Sequence, residues 1–477
     1  MIFSSPFFLF VFLPVVIISY YAVTMVSKKA ALKNAVLTIF SLIFYAWGGA
    51  EFIFLLILST FSDYVIALLI MRSSGGRKRL YVASSIAINL GLLCYFKYAN
   101  FLILLLDSFI SGVGISQVAA SSIALPIGIS FFTFHRLSYI IDVYRGTRRA
   151  FINVLDFFLY VTMFPQLIAG PIVRFHEISD QIKSRTESIH LLYEGVLYFC
   201  WGLIKKTVFA NSCGEIADAI FNLSPDALDT KTAWLGVSAY TIQIYFDFSA
   251  YSDMAIGLAM IFGFRLPENF NRPYSAISLT DFWRRWHMTL TRWFRDYLYI
   301  PLGGNKKGAL RTYLNLMIVF ILCGLWHGAY LPFLIWGLYH GGFLIIERFT
   351  GLRNLSTERY ILSRRVITLL IVMVGWVIFR SNSFSQLSSF ISAMFLPKNL
   401  PLPFHLIPII NSRNIFFFLL ASIVFILPTN LSVTRYLLQN DKPLVILARL
   451  ALITVGVPYS IALIASGSYN PFIYFRF

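Results

Sequence analysis

The sequence predicts an all-α polytopic membrane protein, and three observations carry the prediction. Runs of about twenty apolar residues, the length of a helix that crosses a bilayer, recur from one end of the 477-residue chain to the other. Apolar residues make up 58% of the chain and charged residues 13%, against roughly half and a quarter in soluble domains. The basic residues stand in short clusters between the apolar runs, as the positive-inside rule arranges them. The net charge of +18 is therefore topogenic, and the bilayer, not nucleic acid, is the expected partner. No polar stretch is long enough for a separate soluble domain, so residues 1–477 are expected to form a single membrane domain.

The first run, Pro6 to Met25, has no basic residue before it and Lys28 and Lys29 after it. That order is the reverse of a cleaved signal peptide, so the run is expected to be retained with the N-terminus outside. Leu37 to Trp47 then exits and Phe52 to Met71 returns to a cytoplasmic cluster of Arg72, Arg77, Lys78 and Arg79. Leu80 to Tyr95 exits again. The next basic cluster, Arg145, Arg148 and Arg149, is also assigned inside, which allows one crossing before it, Ile123 to Tyr144. Phe101 to Ile110 is then surplus and too short to span, and is expected at the interface or as a dip.

Phe157 to Val173 lies between two cytoplasmic clusters and contains Pro165, Gly170 and Pro171, which interrupt helices. A re-entrant element buried in protein or lining a wet cavity fits this pattern. Trp234 to Phe264 is apolar but carries Asp247 and Asp253, acids expected to pair with arginines. Arg265 to Arg311 alternates aromatics with arginines and has no long apolar run, which suits helices lying in the cytoplasmic membrane interface. The hairpin of residues 310–347 follows, bounded by Lys306, Lys307 and Arg311 before it and by Arg348 and Arg353 after it, so that its turn faces outward. Val366 to Phe379, Ile415 to Leu427 and Val445 to Ala465 complete a count of about ten or eleven crossings with re-entrant and interfacial helices around a central channel.

The candidate chemistry centres on His327, in Gly324-Leu-Trp-His-Gly328, with a near copy thirteen residues on, Gly337-Leu-Tyr-His340-Gly341. An ionisable residue at membrane depth is a functional candidate by default, and glycines four apart let helices approach closely. His327 falls near the outer side of the hairpin and His340 roughly 12 Å deeper at helical rise. His340 is either functional or a packing histidine bonded to a neighbour. His287, in the arginine-rich stretch, is either solvated or functional. Arg284, Arg285, Arg292, Arg295, Lys306 and Lys307 either hold interface position or bind an anionic ligand. The four cysteines show no disulfide or metal spacing, and no metal is expected. No Walker motif, dinucleotide fingerprint or nucleophile elbow is present. Cys323 has only His327 one turn away to activate it, so general-base catalysis by His327 is the simpler chemistry. On this reading alone the chain is either a transporter or an enzyme with a wet internal site.

Several segments resemble the membrane-bound O-acyltransferase (MBOAT) superfamily, in its bacterial alginate-acetylating branch. They are Pro126-Ile-Gly-Ile-Ser-Phe-Phe-Thr-Phe, Ser138-Tyr-Ile-Ile-Asp-Val-Tyr-Arg-Gly146, Met163-Phe-Pro-Gln-Leu-Ile-Ala-Gly-Pro-Ile-Val-Arg-Phe-His176, Pro267-Glu-Asn-Phe-Asn271, Asp281-Phe-Trp-Arg-Arg-Trp-His287, Trp293-Phe-Arg-Asp-Tyr-Leu-Tyr-Ile-Pro-Leu-Gly-Gly-Asn305 and Gly324-Leu-Trp-His-Gly-Ala329. The resemblance implies an MBOAT-like helical bundle with His327 as the catalytic histidine and His287 at the second catalytic position. It implies acyl transfer from cytoplasmic acetyl-CoA, with no permanently bound cofactor, in a bacterial inner membrane. Arg284, Arg285, Arg292, Arg295 and Lys306 would hold the CoA phosphates. The acceptor would be a polysaccharide, alginate-like, reached through a periplasmic SGNH-hydrolase-like acetyltransferase. Peptidoglycan, cellulose, another exopolysaccharide and D-alanyl transfer to teichoic acid are the alternatives within the enzyme class, and a polysaccharide transporter is the alternative outside it. His135 departs from the pattern, where Gln is expected after Phe-Thr-Phe; away from the core motif, it is expected to tune the channel, not the reaction.

Overall fold

The computed structural model describes residues 1–112, 123–352, 360–426, 433–467 and 469–473, and every regular element among them is helical. The protein is an all-α, multi-pass membrane protein. Among the described residues six stretches are long and apolar enough to cross a bilayer: Phe8–Val26, Ala30–Arg72, Gly75–Ile103, Ala309–His327, Ile361–Arg380 and Pro443–Ala465. Arg353 and Leu427, which bound two of the expected runs, lie outside the described residues. The chain divides into two compact units, Met1–Gly195 with Leu258–Pro267, and Val196–Gly257 with Glu268–Phe477.

In the first unit a π-helical turn, Phe8–Phe12, leads into α1 (Leu13–Val26), followed by α2 (Ala30–Gly49) and α3 (Ile53–Arg72). Side chains such as Ile18, Phe54 and Leu58 stay largely exposed on these helices, as lipid-facing residues do. Their inner faces close on an aromatic cluster in which the Phe44 and Phe164 rings lie 5.5 Å apart. Helix α4 (Gly75–Gly112) is a single continuous helix of 38 residues. The separate surface element expected at Phe101 to Ile110 is thus its continuation, because residues 96–100 contain neither proline nor glycine to end it. Buried in this unit, Asp63 accepts hydrogen bonds from Ser85 (2.6 Å) and Asn89 (2.8 Å) and lies 3.6 Å from Arg136.

Arg136 belongs to α5 (Ile129–Arg145), which starts after Gly128 in the left-handed region. The proline-interrupted stretch forms α6 (Val154–Thr162), a single turn α7 (Phe164–Leu167), an irregular segment over residues 168–174, and α8 (Phe175–Lys183). The irregular backbone is buried and satisfied by protein: Ser41 accepts from the Phe164 amide (3.0 Å), and the Gln166 side chain donates to the Tyr160 carbonyl (2.6 Å). A Cβ on Gly170 would come within 2.5 Å of the Pro165 carbonyl oxygen, so the break depends on that glycine. Glu187 takes an ion pair from Lys33 (2.9 Å) and a hydrogen bond from Tyr20 (2.6 Å).

The second unit contains α9 (Ile189–Ile204) from Val196 on, a π-helical turn Lys205–Ala210, α10 (Asn211–Phe221) and α11 (Thr230–Ile261) as far as Gly257. Sequence reasoning expected Asp247 and Asp253 to pair with arginines; lysines take them instead. The π turn buries two consecutive lysines, and Lys205 reaches Asp253 at 2.8 Å while Lys206 reaches Asp247 at 2.7 Å. The aromatic–arginine stretch is broken into short helices. It forms α12 (Leu279–Trp283), α13 (Met288–Phe294) and a π turn, Arg295–Tyr299, and its tryptophans Trp283, Trp286 and Trp293 are all buried. They pack into protein: Trp286 lies 4.7 Å from Trp376. The tryptophans of this expected interfacial stretch therefore face protein.

Trp376 lies on α16 (Ile361–Arg380), which follows the hairpin of α14 (Ala309–His327) and α15 (Leu331–Phe349). The hairpin closes tightly on its glycines. A Cβ on Gly324 would sit 2.2 Å from the Phe333 carbonyl oxygen, and one on Gly337 2.4 Å from that of Phe320. Helices α17 (Phe384–Phe395), α18 (Ser412–Ser422), α19 (Val433–Gln439), α20 (Pro443–Ala451) and α21 (Val457–Ala465) complete the unit.

Candidate active site

His287 sits between α12 and α13 with φ at 43°, in the left-handed region that non-glycine residues seldom adopt. Such a conformation costs on the order of 1–3 kcal/mol and persists where the surroundings enforce it. Asn269 supplies the enforcement. Its backbone oxygen accepts from the Met288 amide (2.8 Å), while its side-chain amide donates to Ser252 (3.0 Å). Its side-chain oxygen accepts from Thr289 Oγ1 (2.9 Å) and the Thr289 amide (3.3 Å), and meets His287 Nδ1 at 3.0 Å. The Thr289 donors identify that atom as the oxygen, which only accepts, so Nδ1 carries the ring proton and Nε2 the lone pair. Burial holds the imidazole neutral, with its pKa pushed down to about 3.

His327 is the last residue of α14, and the chain leaves it through Gly328, where an added Cβ would strike the Phe333 ring. Its ring makes edge contacts with Trp326 (4.8 Å), Trp336 (5.4 Å) and Phe379 (5.1 Å). A small void borders it, walled by Phe248, Trp286, Trp336, Trp376 and Phe379. Trp326 also faces His287 at 6.2 Å, and Phe248 touches the His287 ring at 4.6 Å, so the two histidines share one aromatic wall. His340 lies deeper in α15, fully buried against Trp283 (5.2 Å) and Trp336 (4.9 Å).

A cavity of about 590 Å³ lies on the other side of these tryptophans. Arg284, Arg292, Arg295 and Arg348 line it together with Trp283 and Cys323. The first three are sequence-predicted ligand residues. Of the other two, Arg285 is not among the lining residues and pairs with Asp281 at 2.8 Å, and Lys306 is exposed and also outside the lining. Trp283 stands 5.5 Å from Trp336, which touches His327, so two indole rings separate the arginines from the histidine. A second cavity, of about 250 Å³, is lined by Tyr330 from the hairpin turn and by Phe333, Phe379 and Arg380. Phe379 and Ile473 border both it and the void at His327. His327 thus stands between two cavities, one rich in cations and one at the hairpin turn.

Sequence reasoning missed three parts of this arrangement. Arg348 was read only as the topological end of the hairpin. Asn269 carried no signal beyond its place in a motif. Trp283 was read only as part of the interfacial stretch and Trp336 was not singled out, although a large ring near an intramembrane histidine was a usable sign.

An arginine-lined cavity on one side of a buried histidine, within a helical membrane protein, suits an enzyme with an anionic substrate. In agreement, residues 146–385 match the family model of the MBOAT, membrane-bound O-acyltransferase family. The chain belongs to that family and is an O-acyltransferase. It is similar to the probable alginate O-acetylase AlgI of Pseudomonas aeruginosa, 45% identical over 398 residues that cover 83% of this chain and 75% of the relative. It is also similar to the peptidoglycan O-acetyltransferase of Helicobacter pylori, 34% identical over 80% of this chain and 77% of the relative. The teichoic acid D-alanyltransferase of Bacillus subtilis is 30% identical over 42% of this chain and 53% of the relative.

Proposed function

We propose that this protein moves an acetyl group from cytoplasmic acetyl-CoA across a bacterial inner membrane for O-acetylation of an extracellular or cell-wall polysaccharide, alginate-like in kind. The observation that carries the reading is the position of His327 between two cavities, which lets donor and acceptor meet without either crossing whole. The distribution of basic residues supports an outside N-terminus and an arginine cavity on the cytoplasmic side. There Arg284, Arg292, Arg295 and Arg348 would hold the CoA phosphates, since a guanidinium offers paired donors to phosphate oxygens. The pantetheine arm would enter past Trp283 and Trp336.

In the reaction an acceptor hydroxyl attacks the thioester carbonyl. His327 takes the hydroxyl proton, the carbon–oxygen bond forms, the carbon–sulfur bond breaks, and the CoA thiolate leaves and recovers a proton. His287, neutral and fixed by Asn269, would position the thioester or the developing oxyanion. The acceptor from the outer side is a periplasmic SGNH-hydrolase-like partner, which passes the acetyl group to the polymer. The similarity to alginate O-acetylases over most of the chain supports alginate-type polymers. The Helicobacter relative supports peptidoglycan as the second reading. The test is acetyl transfer from radiolabelled acetyl-CoA by purified protein. His327→Ala should fold and elute as wild type yet lose at least a hundredfold in rate; retained activity would remove His327 as the base.

A further inference from the structure

Behind the Asn269 clamp lies a third cavity, of about 250 Å³, distinct from the two beside His327. Arg272 lines it. This arginine is buried, with only 6% of its surface exposed, and among the described residues its Nε and Nη1 make no hydrogen bond. Its backbone has φ at 45° and is pinned by the Ser275 amide (3.2 Å) and hydroxyl (2.8 Å), both donating to its carbonyl. Burial first, then the like charges of Arg285 and Arg365, pull its pKa below the ordinary arginine value. A guanidinium in that setting is held at a large cost unless an anion completes it.

The rest of the lining says which anion. Lys205 also borders the cavity but is already neutralised by Asp253 (2.8 Å) and bonded to Ser249 (2.9 Å). Glu268 contributes a carboxylate. Two cations and two carboxylates leave no net charge, so the complementary ligand carries both signs. The remaining lining is mainly apolar, and Leu420 and Ile423 both border the cavity and stay exposed, 41% and 47%, on the apolar helix Ser412–Phe425. The cavity therefore opens along a lipid-facing apolar surface.

We infer that this cavity binds the headgroup of a zwitterionic phospholipid, with the phosphodiester on Arg272, the ammonium towards Glu268 and the acyl chains along Leu420 and Ile423. Asn269 lines the same cavity while its side chain holds His287. A bound lipid would brace the segment from Asn269 to Arg272 and, through it, the left-handed conformation of His287. Binding stands independently of the proposed function, whereas the link to His287 rests on it.

The full-length protein, purified and stripped of lipid in detergent, is titrated with dioleoyl phosphatidylethanolamine and read by native mass spectrometry and thermal unfolding. One lipid is expected to remain bound at activation energies that remove the others, with a rise in Tm. Arg272→Gln should lower its occupancy at least tenfold, and Arg272→Lys should restore part of it. Leu420→Trp, a change at the exposed mouth that spares the core, should also lower it. Wild-type retention in both Arg272→Gln and Leu420→Trp overturns the assignment; if Arg272→Gln fails to fold, Leu420→Trp alone decides. Inorganic phosphate and CoA are added as competitors. Displacement of the lipid by either would overturn it in favour of a soluble phosphate ligand. CoA affinity is measured on the same samples, so a failure of the arginine-cavity reading shows there and leaves the lipid result intact.

Discussion

At the scale of single residues, His287 shows how much conformation a few hydrogen bonds can impose. Sequence singled it out within an arginine-rich run but left it as either solvated or functional, because exposure depends on which elements fold over it. The structure buries it and fixes its tautomer through Asn269, eighteen residues away in sequence. Its folded-state pKa of about 3 lies below the ordinary histidine value of 6.5, so the unfolded chain takes up the proton first. Its contribution to stability is present above pH 6.5 and is lost as pH falls towards 3, at a rate on the order of 1 kcal/mol per pH unit. Thermal unfolding in detergent between pH 7 and pH 4 should show this loss. His287→Asn, which tolerates the left-handed backbone, should flatten the profile; an unchanged slope would assign the acid sensitivity elsewhere.

At the scale of elements, the hairpin α14–α15 was the most legible part of the chain, because its glycines recur four apart and its ends are basic. What the glycines contact was not legible. Gly324 and Gly337 meet the partner helix backbone, whereas Gly342, one residue beyond the second motif, has open space where a Cβ would sit. Gly337→Ala should destabilise by about 1–3 kcal/mol through overpacking and displace the helix end that carries His327. Gly342→Ala should be neutral or slightly stabilising, since alanine favours a helix interior. Equal Tm values for the two variants would show that the hairpin yields more than its packing suggests. The packing of the short helices α12 and α13 was not legible for a related reason. Trp, Tyr and Arg suit both a membrane interface and a polar-rimmed core, and only contacts such as Trp286 with Trp376 separate the two.

At the scale of the molecule, the class of protein was legible in composition and motif, but the division of labour among the arginines was not. A charge cluster in sequence has no sides. In the structure Arg284 faces the large cavity while its neighbour Arg285 is held by Asp281. If the donor is acetyl-CoA, Arg284→Ala should raise its KM about tenfold, the equivalent of one charge-assisted hydrogen bond, and the effect should shrink with added salt. Arg285→Ala should leave KM within about twofold, a difference too small to represent a direct contact. Steady-state kinetics at two ionic strengths distinguishes the pair, and equal losses would return both residues to one diffuse basic surface.

The rings around His327 have a consequence for the cell as well as for the reaction. Trp286, Trp336, Trp376, Phe248 and Phe379 close the space between two cavities with apolar surface and leave little room for a file of water. In the proposed inner-membrane setting, a hole joining those cavities would short-circuit the ion gradients that drive ATP synthesis, so an enzyme placed there must also be an insulator. Trp336→Ala should turn the seal into a leak, read as faster proton flux in proteoliposomes under an imposed potential. Flux equal to that of wild type would place the insulating layer elsewhere in the protein.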